Sequence, residues 1–84
     1  MEQNSVEGII EVLSQIEKDF TVPKNVRLRI KNATIALEDN ALSIGVRVDK
    51  SLQELDEVSD FPNVPSYTRS QIWNVVSMLE SISE

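Results

Sequence analysis

The side chains that could support chemistry are limited to carboxylates, hydroxyls and amines, because the chain has neither cysteine nor histidine. Their absence excludes thiolate nucleophiles, cysteine-based zinc sites and histidine acid–base catalysis. The acids Glu54, Asp56, Glu57 and Asp60 lie close together, but they lack the glycine and the ordered oxygen ligands of a calcium-binding loop. Serine and threonine have no histidine to activate them. We therefore expect no enzymatic activity, metal, cofactor or small-molecule substrate.

Positive charge is concentrated in one segment of an otherwise acidic chain with a net charge of −6. Residues 21–37 contain Lys24, Arg27, Arg29 and Lys31 and no acid. Lys24, Arg27 and Lys31 are spaced three and four apart, which places them on one side of a helix. They could contact a phosphate group, RNA or an acidic protein, or pair with acids of the neighbouring helices. The overall negative charge makes nucleic acid the less favoured partner.

Two apolar residues of the same segment, Leu28 and Ile35, fall opposite its main apolar stripe when it is drawn as a helix. Lys24 and Lys31 flank them. This pattern predicts an interaction face for a second copy of the chain or for another protein. The alternatives are that this helix is central and covered on both sides, or that two apolar side chains are simply exposed.

Arg27 and Arg69 occupy equivalent places, each shortly after a Val-Pro pair. Each is predicted to form an ion pair with the acidic end of the preceding helix, near Asp19 and Asp60. Trp73 lies roughly a third of a turn away from the apolar stripe of its own helix, beside Arg69 and Val76. This position is typical of a residue at the edge of the core, although tryptophan is also common at binding hot spots.

The elements that must position these residues are four amphipathic helices, because apolar residues recur with a helical period and no segment alternates like a strand. The first helix is predicted at about residues 4–20. The apolar stripes of the four helices are Val6, Ile9, Ile10, Leu13, Ile16 and Phe20; Val26, Ile30, Ala33 and Leu37; Ile44, Val48, Leu52, Leu55 and Val58; and Ile72, Val75, Val76, Leu79 and Ile82.

Proline and capping residues mark where the helices begin. Pro23 and Pro65 suit a first helical turn, where a missing N–H costs little. Thr68 and Gln71 could instead form a capping box for the fourth helix. The candidate caps of the third helix are Asp39, Asn40 and Ser43.

The two halves of the chain resemble each other at an offset of 42 residues. TVPKNVRLRIKNATIAL at 21–37 matches NVPSYTRSQIWNVVSML at 63–79. We interpret this as a duplicated helical hairpin, with pseudo-repeats at about 3–42 and 45–84, and the period is similar to that of HEAT-type repeats. Two such hairpins would bury each other's apolar stripes in one domain spanning 1–84. The predicted fold is an all-α four-helix bundle, bromodomain-like or a HEAT-like pair.

The segments VPKNVR and LDEVSDFPNVPSYTRSQIWNVVSMLE resemble the signature of uncharacterised protein family 0147, a group of small archaeal proteins. The similarity extends over nearly the whole chain. The resemblance implies a helical bundle of unknown function, with no substrate, cofactor or catalytic residue to transfer to this sequence.

The sequence shows neither a signal peptide nor a membrane span, which predicts a cytoplasmic protein without membrane contact. Together, these observations favour a non-enzymatic protein-interaction or assembly module, expected to form a homodimer or to bind a protein partner. The alternative is an RNA-associated factor that uses the basic face of the second helix.

Overall fold

The structure, a computed structural model, describes the backbone of residues 2–82 and the side chains of residues 6–82. Residues 2–82 form four α-helices and no strand: α1 (Glu2–Glu17), α2 (Lys24–Leu37), α3 (Ile44–Val58) and α4 (Ser66–Ile82). The all-α prediction is therefore confirmed. No helix within these residues is long and apolar enough to cross a lipid bilayer.

The helices form a closed, four-sided bundle. α1 packs against α2 and α4, and α3 packs against the same two helices, whereas the diagonal pairs make no comparable contact within residues 2–82. The connecting turns are short, so consecutive helices run antiparallel. The α2–α3 contact is the most extensive and the α3–α4 contact is the least extensive. The α3–α4 side of the bundle is therefore the most open one.

The core consists of the stripes that the helical period predicts. All four stripe residues of α2 are buried, as are Ile9, Leu13 and Ile16 of α1. From α3 and α4 the core takes Val48, Leu55, Val58, Ile72, Val75 and Leu79, and the turns add Val22 and Val64. The other aliphatic stripe residues except Val6 are half-buried against this cluster: Ile10, Ile44, Leu52, Val76 and Ile82.

The first helix is shorter at its carboxyl end than predicted, and Phe20 is not a core residue. α1 ends at Glu17, and Phe20 is 88% exposed in the following turn. The chain leaves the helix because the Asp19 carboxylate accepts hydrogen bonds from the Thr21 N–H, at 2.9 Å, and from its hydroxyl, at 2.6 Å. Val22 enters the core after this turn. The prediction for Phe20 was wrong because helical periodicity was extended through a turn.

The predicted caps have different roles. The Ser43 hydroxyl accepts from the Val46 N–H at 3.5 Å at the start of α3. Asp39 instead shapes the turn, where its carboxylate accepts from the Ala41 N–H at 3.0 Å. α4 begins directly after Pro65, and Thr68 is a buried residue inside the helix rather than its cap.

Two buried side chains are polar. The Ser51 hydroxyl donates a hydrogen bond of 2.9 Å across the bundle to the backbone carbonyl of Ala33, which joins α3 to α2. The Thr68 hydroxyl is equally buried but has no hydrogen-bond partner among the described residues. An unpaired buried hydroxyl destabilises the folded state.

We predict that Thr68→Val raises the free energy of unfolding by about 1–2 kcal/mol, because valine fills nearly the same volume without the polar atom. Val26 occupies the equivalent place in α2 and is fully buried. Urea denaturation would measure the change. Thr34→Val is the matched control, since the Thr34 hydroxyl donates to the Ile30 carbonyl at 3.1 Å and its removal should not stabilise the protein. A Thr68→Val protein less stable than wild type would contradict this prediction.

Candidate interaction surface on the second helix

The outward face of α2 carries the apolar pair that the sequence singles out. α1 and α3 cover two sides of α2, and its main stripe faces the core, which leaves one side open. Lys24, Leu28, Lys31 and Ile35 lie along this side, one or two helical turns apart, and are hereafter called the α2 strip. Leu28 is 56% exposed and Ile35 is 55% exposed. Helix α2 is therefore not covered on both sides by the other residues whose side chains the structure describes.

The basic residues predicted to share one side of α2 meet in a groove of about 640 Å³. Lys24, Arg27 and Lys31 line this open groove together with Leu28. Glu17 of α1 and Asn25 complete its lining. The groove therefore combines three cations with one exposed apolar side chain, and Ile35 extends the apolar surface further along the helix.

Arg27 has a different structural role from the one predicted. Its Nε–H donates to the Val22 backbone carbonyl at 3.0 Å, and its guanidinium carbon lies 5.5 Å from the centre of the Phe20 ring. Hydrogen bonds from Thr21 lower the pKa of Asp19 below its ordinary value of 3.8, and the charge of Arg27 adds a smaller effect in the same direction. Arg27 thus stabilises the turn by a hydrogen bond to a backbone carbonyl, whereas an ion pair with Asp19 was expected.

The same arrangement recurs at the start of α3, and at the start of α4 an arginine also donates to a backbone carbonyl of the preceding turn, but through Nη2 and to a residue farther back along the chain. Arg47 Nε–H donates to the Leu42 carbonyl at 2.9 Å, and Arg69 donates to the Phe61 carbonyl at 3.0 Å. Arg27, Arg47 and Arg69 are each the fourth residue of their helix. Sequence comparison paired only Arg27 with Arg69 and missed Arg47, although LSIGVR at 42–47 follows the pattern of VPKNVR and VPSYTR. The recurrence of this short pattern at intervals of 20 and 22 residues was the signal from which the role of Arg47 could have been predicted.

An ion pair between helices is formed by Arg29. Its guanidinium lies 3.1 Å from the Glu54 carboxylate and 2.8 Å from that of Glu57, at the boundary of α2 and α3. Two acids of the predicted acidic cluster therefore pair with an arginine. Among the described residues no group of three or more acids is arranged to hold a metal ion.

Trp73 is not at the edge of the core. Its side chain is 76% exposed, because Ile72, Val75 and Leu79 of α4 fill the core instead. Trp73 lines grooves on the surface of α4, including one shared with α3. The expectation from the sequence was wrong because a small error in the direction of the stripe decides the burial of a side chain next to it.

The motifs and the four-helix architecture can be compared with known proteins. The sequence pattern of the uncharacterised protein family UPF0147 matches residues 1–82. The chain belongs to UPF0147. A UPF0147 protein of Metallosphaera sedula is 42% identical over 79 residues, and one of Sulfurisphaera tokodaii is 40% identical over 79 residues. Each alignment covers 94% of this chain and 89% of the relative. A UPF0147 protein of Aeropyrum pernix is 35% identical over 82 residues, covering 98% of this chain and 90% of the relative.

A solved structure, described as "Crystal structure of unknown function protein MMP1188", shows the same fold. That protein is 39% identical in sequence to this UPF0147 chain, and the two structures superpose with a TM-score of 0.94. The match covers 98% of this chain and 93% of the other. The predicted membership of UPF0147 is therefore confirmed, and these comparisons assign neither a reaction nor a partner to the family.

Proposed function

We propose that this UPF0147 protein is a non-enzymatic, cytoplasmic interaction module whose docking surface is the α2 strip, and that the strip binds a second copy of the chain. The observation that carries the proposal is the exposure of Leu28 and Ile35 on one side of α2, between Lys24 and Lys31. Two half-exposed aliphatic side chains on one helical face form a continuous surface that loses water when another helix covers it.

The strip is complementary to itself when two copies of α2 pack antiparallel about a two-fold axis beside Lys31. In this arrangement Leu28 of one protomer faces Ile35 of its partner. Lys24 then faces Glu38, an exposed acid directly after the last residue of α2. The arrangement forms two pairs of opposite charge, whereas only the two copies of Lys31 at the axis repel each other. An isologous dimer of this kind is the commonest form of soluble oligomer.

The expected affinity is modest. Full burial of one leucine or isoleucine side chain contributes roughly 1.5–3 kcal/mol, and Leu28 and Ile35 are about half exposed before association. Four such side chains would contribute roughly 3–6 kcal/mol to the dimer, of the same order as the cost of association. The Lys24–Glu38 pairs and the surrounding contacts must supply the remainder. We therefore expect a dimer whose population depends on concentration.

Leu28→Glu tests the proposal by sedimentation equilibrium. We expect wild type to show a concentration-dependent shift from monomer to dimer. Leu28→Glu should remain monomeric over the same range, because the substitution places a carboxylate in the centre of the apolar contact. Circular dichroism would verify that the variant is still helical.

Val46→Glu is the matched control for this experiment. Val46 is an exposed aliphatic residue of α3, outside the α2 strip, and its substitution introduces the same charge. This variant should dimerise like wild type. The proposal fails if wild type is monomeric at millimolar concentration, if Leu28→Glu leaves the sedimentation mass unchanged, or if Val46→Glu prevents dimerisation equally.

RNA binding through the same groove is the second candidate, and the meeting of Lys24, Arg27 and Lys31 in one groove favours it. A single-stranded oligonucleotide titrated into wild type and Lys24→Ala distinguishes the two functions. Binding that requires Lys24 and disappears above about 0.3 M salt would indicate the charged surface. Self-association that persists above about 0.3 M salt would indicate that the apolar surface of Leu28 and Ile35 is the binding surface.

A further inference from the structure

A second groove lies on the outer surface of α4, which stands diagonally opposite α2 in the bundle. Its volume is about 440 Å³, and it is lined by Arg69, Ser70, Trp73 and Asn74. We call it the α4 groove. It shares no lining residue with the groove on α2. Its volume lies within the range of small-molecule sites, roughly 300–1,000 Å³, so it is large enough for one small ligand.

Trp73 gives the α4 groove an aromatic face. Its side chain is 76% exposed, and a flat ring system can stack on an exposed indole. Ser70 and Asn74 are exposed beside it. A side-chain amide carries both hydrogen-bond donors and an acceptor, and it can bond to the polar edge of a nucleobase. These neighbours therefore suit a flat heterocycle better than a purely apolar ligand.

The charge of the α4 groove is positive. Among the described residues that line it, Arg69 is the only charged one, and it lies one helical turn before Trp73. The Arg69 guanidinium donates to the Phe61 carbonyl at 3.0 Å, and this single bond positions a group that has five N–H donors. Asp56 and Glu80 line the neighbouring groove between α3 and α4, and neither lines this one. The α4 groove is therefore complementary to an anion.

We propose that the α4 groove binds a purine nucleoside monophosphate. The base stacks on Trp73, the Asn74 amide bonds to the edge of the base, and the Arg69 guanidinium binds the phosphate. One guanidinium matches one phosphate group, whereas the net charge of −6 opposes the approach of a longer polyanionic strand. This inference depends neither on dimerisation nor on the groove on α2.

The site contains its own reporter, because Trp73 is the single tryptophan of the chain. Adenosine monophosphate (AMP) is titrated into the full-length protein while tryptophan fluorescence is recorded. We expect saturable quenching with a dissociation constant of about 1 mM, since one stacked base and one exposed charged contact give weak binding. Adenosine keeps the base and lacks the phosphate, and it should bind roughly two- to fivefold more weakly than AMP.

Arg69→Gln should remove the preference for AMP over adenosine, because both ligands then bind through the base alone. Arg47→Gln is the matched control. Arg47 also donates to a backbone carbonyl of the turn before its helix, that of Leu42 at 2.9 Å, but it lies outside the α4 groove. Arg47→Gln should therefore keep the preference for AMP, which a merely structural effect of losing such an arginine would not explain.

The absence of saturable quenching up to about 10 mM AMP, equal binding of AMP and adenosine by wild type, or equal loss of the preference in both arginine variants would each overturn the proposal. Single-stranded oligoadenylate that binds more tightly per nucleotide than AMP would also overturn it, because the ligand would then be a nucleic-acid strand. Leu28→Glu should bind AMP like wild type, so failure of the proposed dimer and failure of this site are distinguishable.

Discussion

Ser51→Leu should lower the free energy of unfolding by roughly 2–4 kcal/mol and prevent α2 and α3 from packing at their present distance. Ser51 is completely buried, and its hydroxyl donates to the Ala33 carbonyl of the facing helix. Leucine would add volume to a filled contact and remove this hydrogen bond. Because Ala33 is also fully buried, no small movement of its side chain can make room.

Thermal denaturation measures the effect of Ser51→Leu directly, and the expected fall in melting temperature is at least roughly 10 °C for a domain of this size. Ser51→Ala is the matched control. It removes the hydroxyl without adding volume, so we expect a loss of about 1 kcal/mol. A Ser51→Leu protein as stable as Ser51→Ala would show that the α2–α3 contact tolerates a large residue and would contradict this account of the packing.

Ser51 also shows which part of the core could not be predicted from the sequence. Helical periodicity located the apolar core of all four helices, because every stripe has a regular spacing. Of the five residues predicted for the stripe of α3, two are only half-buried, namely Ile44 and Leu52. The periodicity overlooked Ser51, which is fully buried. Serine on a helix usually indicates a solvated face. Its burial depends on a partner in another helix, the Ala33 carbonyl, and this contact is invisible in a single sequence.

The exposure of Leu28 and Ile35 could be predicted from the sequence, because it depends on one helix alone. Leu28 and Ile35 stand opposite a complete apolar stripe, so their outward position follows from the geometry of one helix. The roles of Arg27 and Arg69 were not predictable in this way. An arginine can reach a carboxylate or a backbone carbonyl at similar distances, and the turn decides which acceptor is presented. Trp73 combines both difficulties, since its direction and its neighbours on α3 had to be known.

Lys31→Cys should form a disulfide-linked dimer rapidly under mild oxidation, because Lys31 of each protomer lies beside the two-fold axis of the proposed α2–α2 contact. The natural chain has no cysteine, so a single introduced thiol reports only on its own position. A disulfide requires two Cα atoms about 4.4–6.8 Å apart, which an accidental encounter rarely provides. The substitution also removes the repulsion between the two lysines at the axis, and dimerisation should therefore be strengthened.

Two controls define the specificity of the cross-link. Lys50→Cys places a thiol on an exposed position of α3, where a contact through the α2 strip brings no second copy nearby. It should react slowly. Lys31→Cys combined with Leu28→Glu keeps the thiol in place and disrupts the apolar contact, and it should react as slowly as Lys50→Cys.

The rate at which this disulfide forms is the most direct test of whether two copies of the chain associate through the α2 strip. If two identical chains meet along the outward side of α2, Lys31→Cys will be oxidised to a dimer many times faster than Lys50→Cys at the same dilute concentration. Equal rates for the two single-cysteine proteins would mean that the second helix is not where the copies meet, and the proposed function would be wrong.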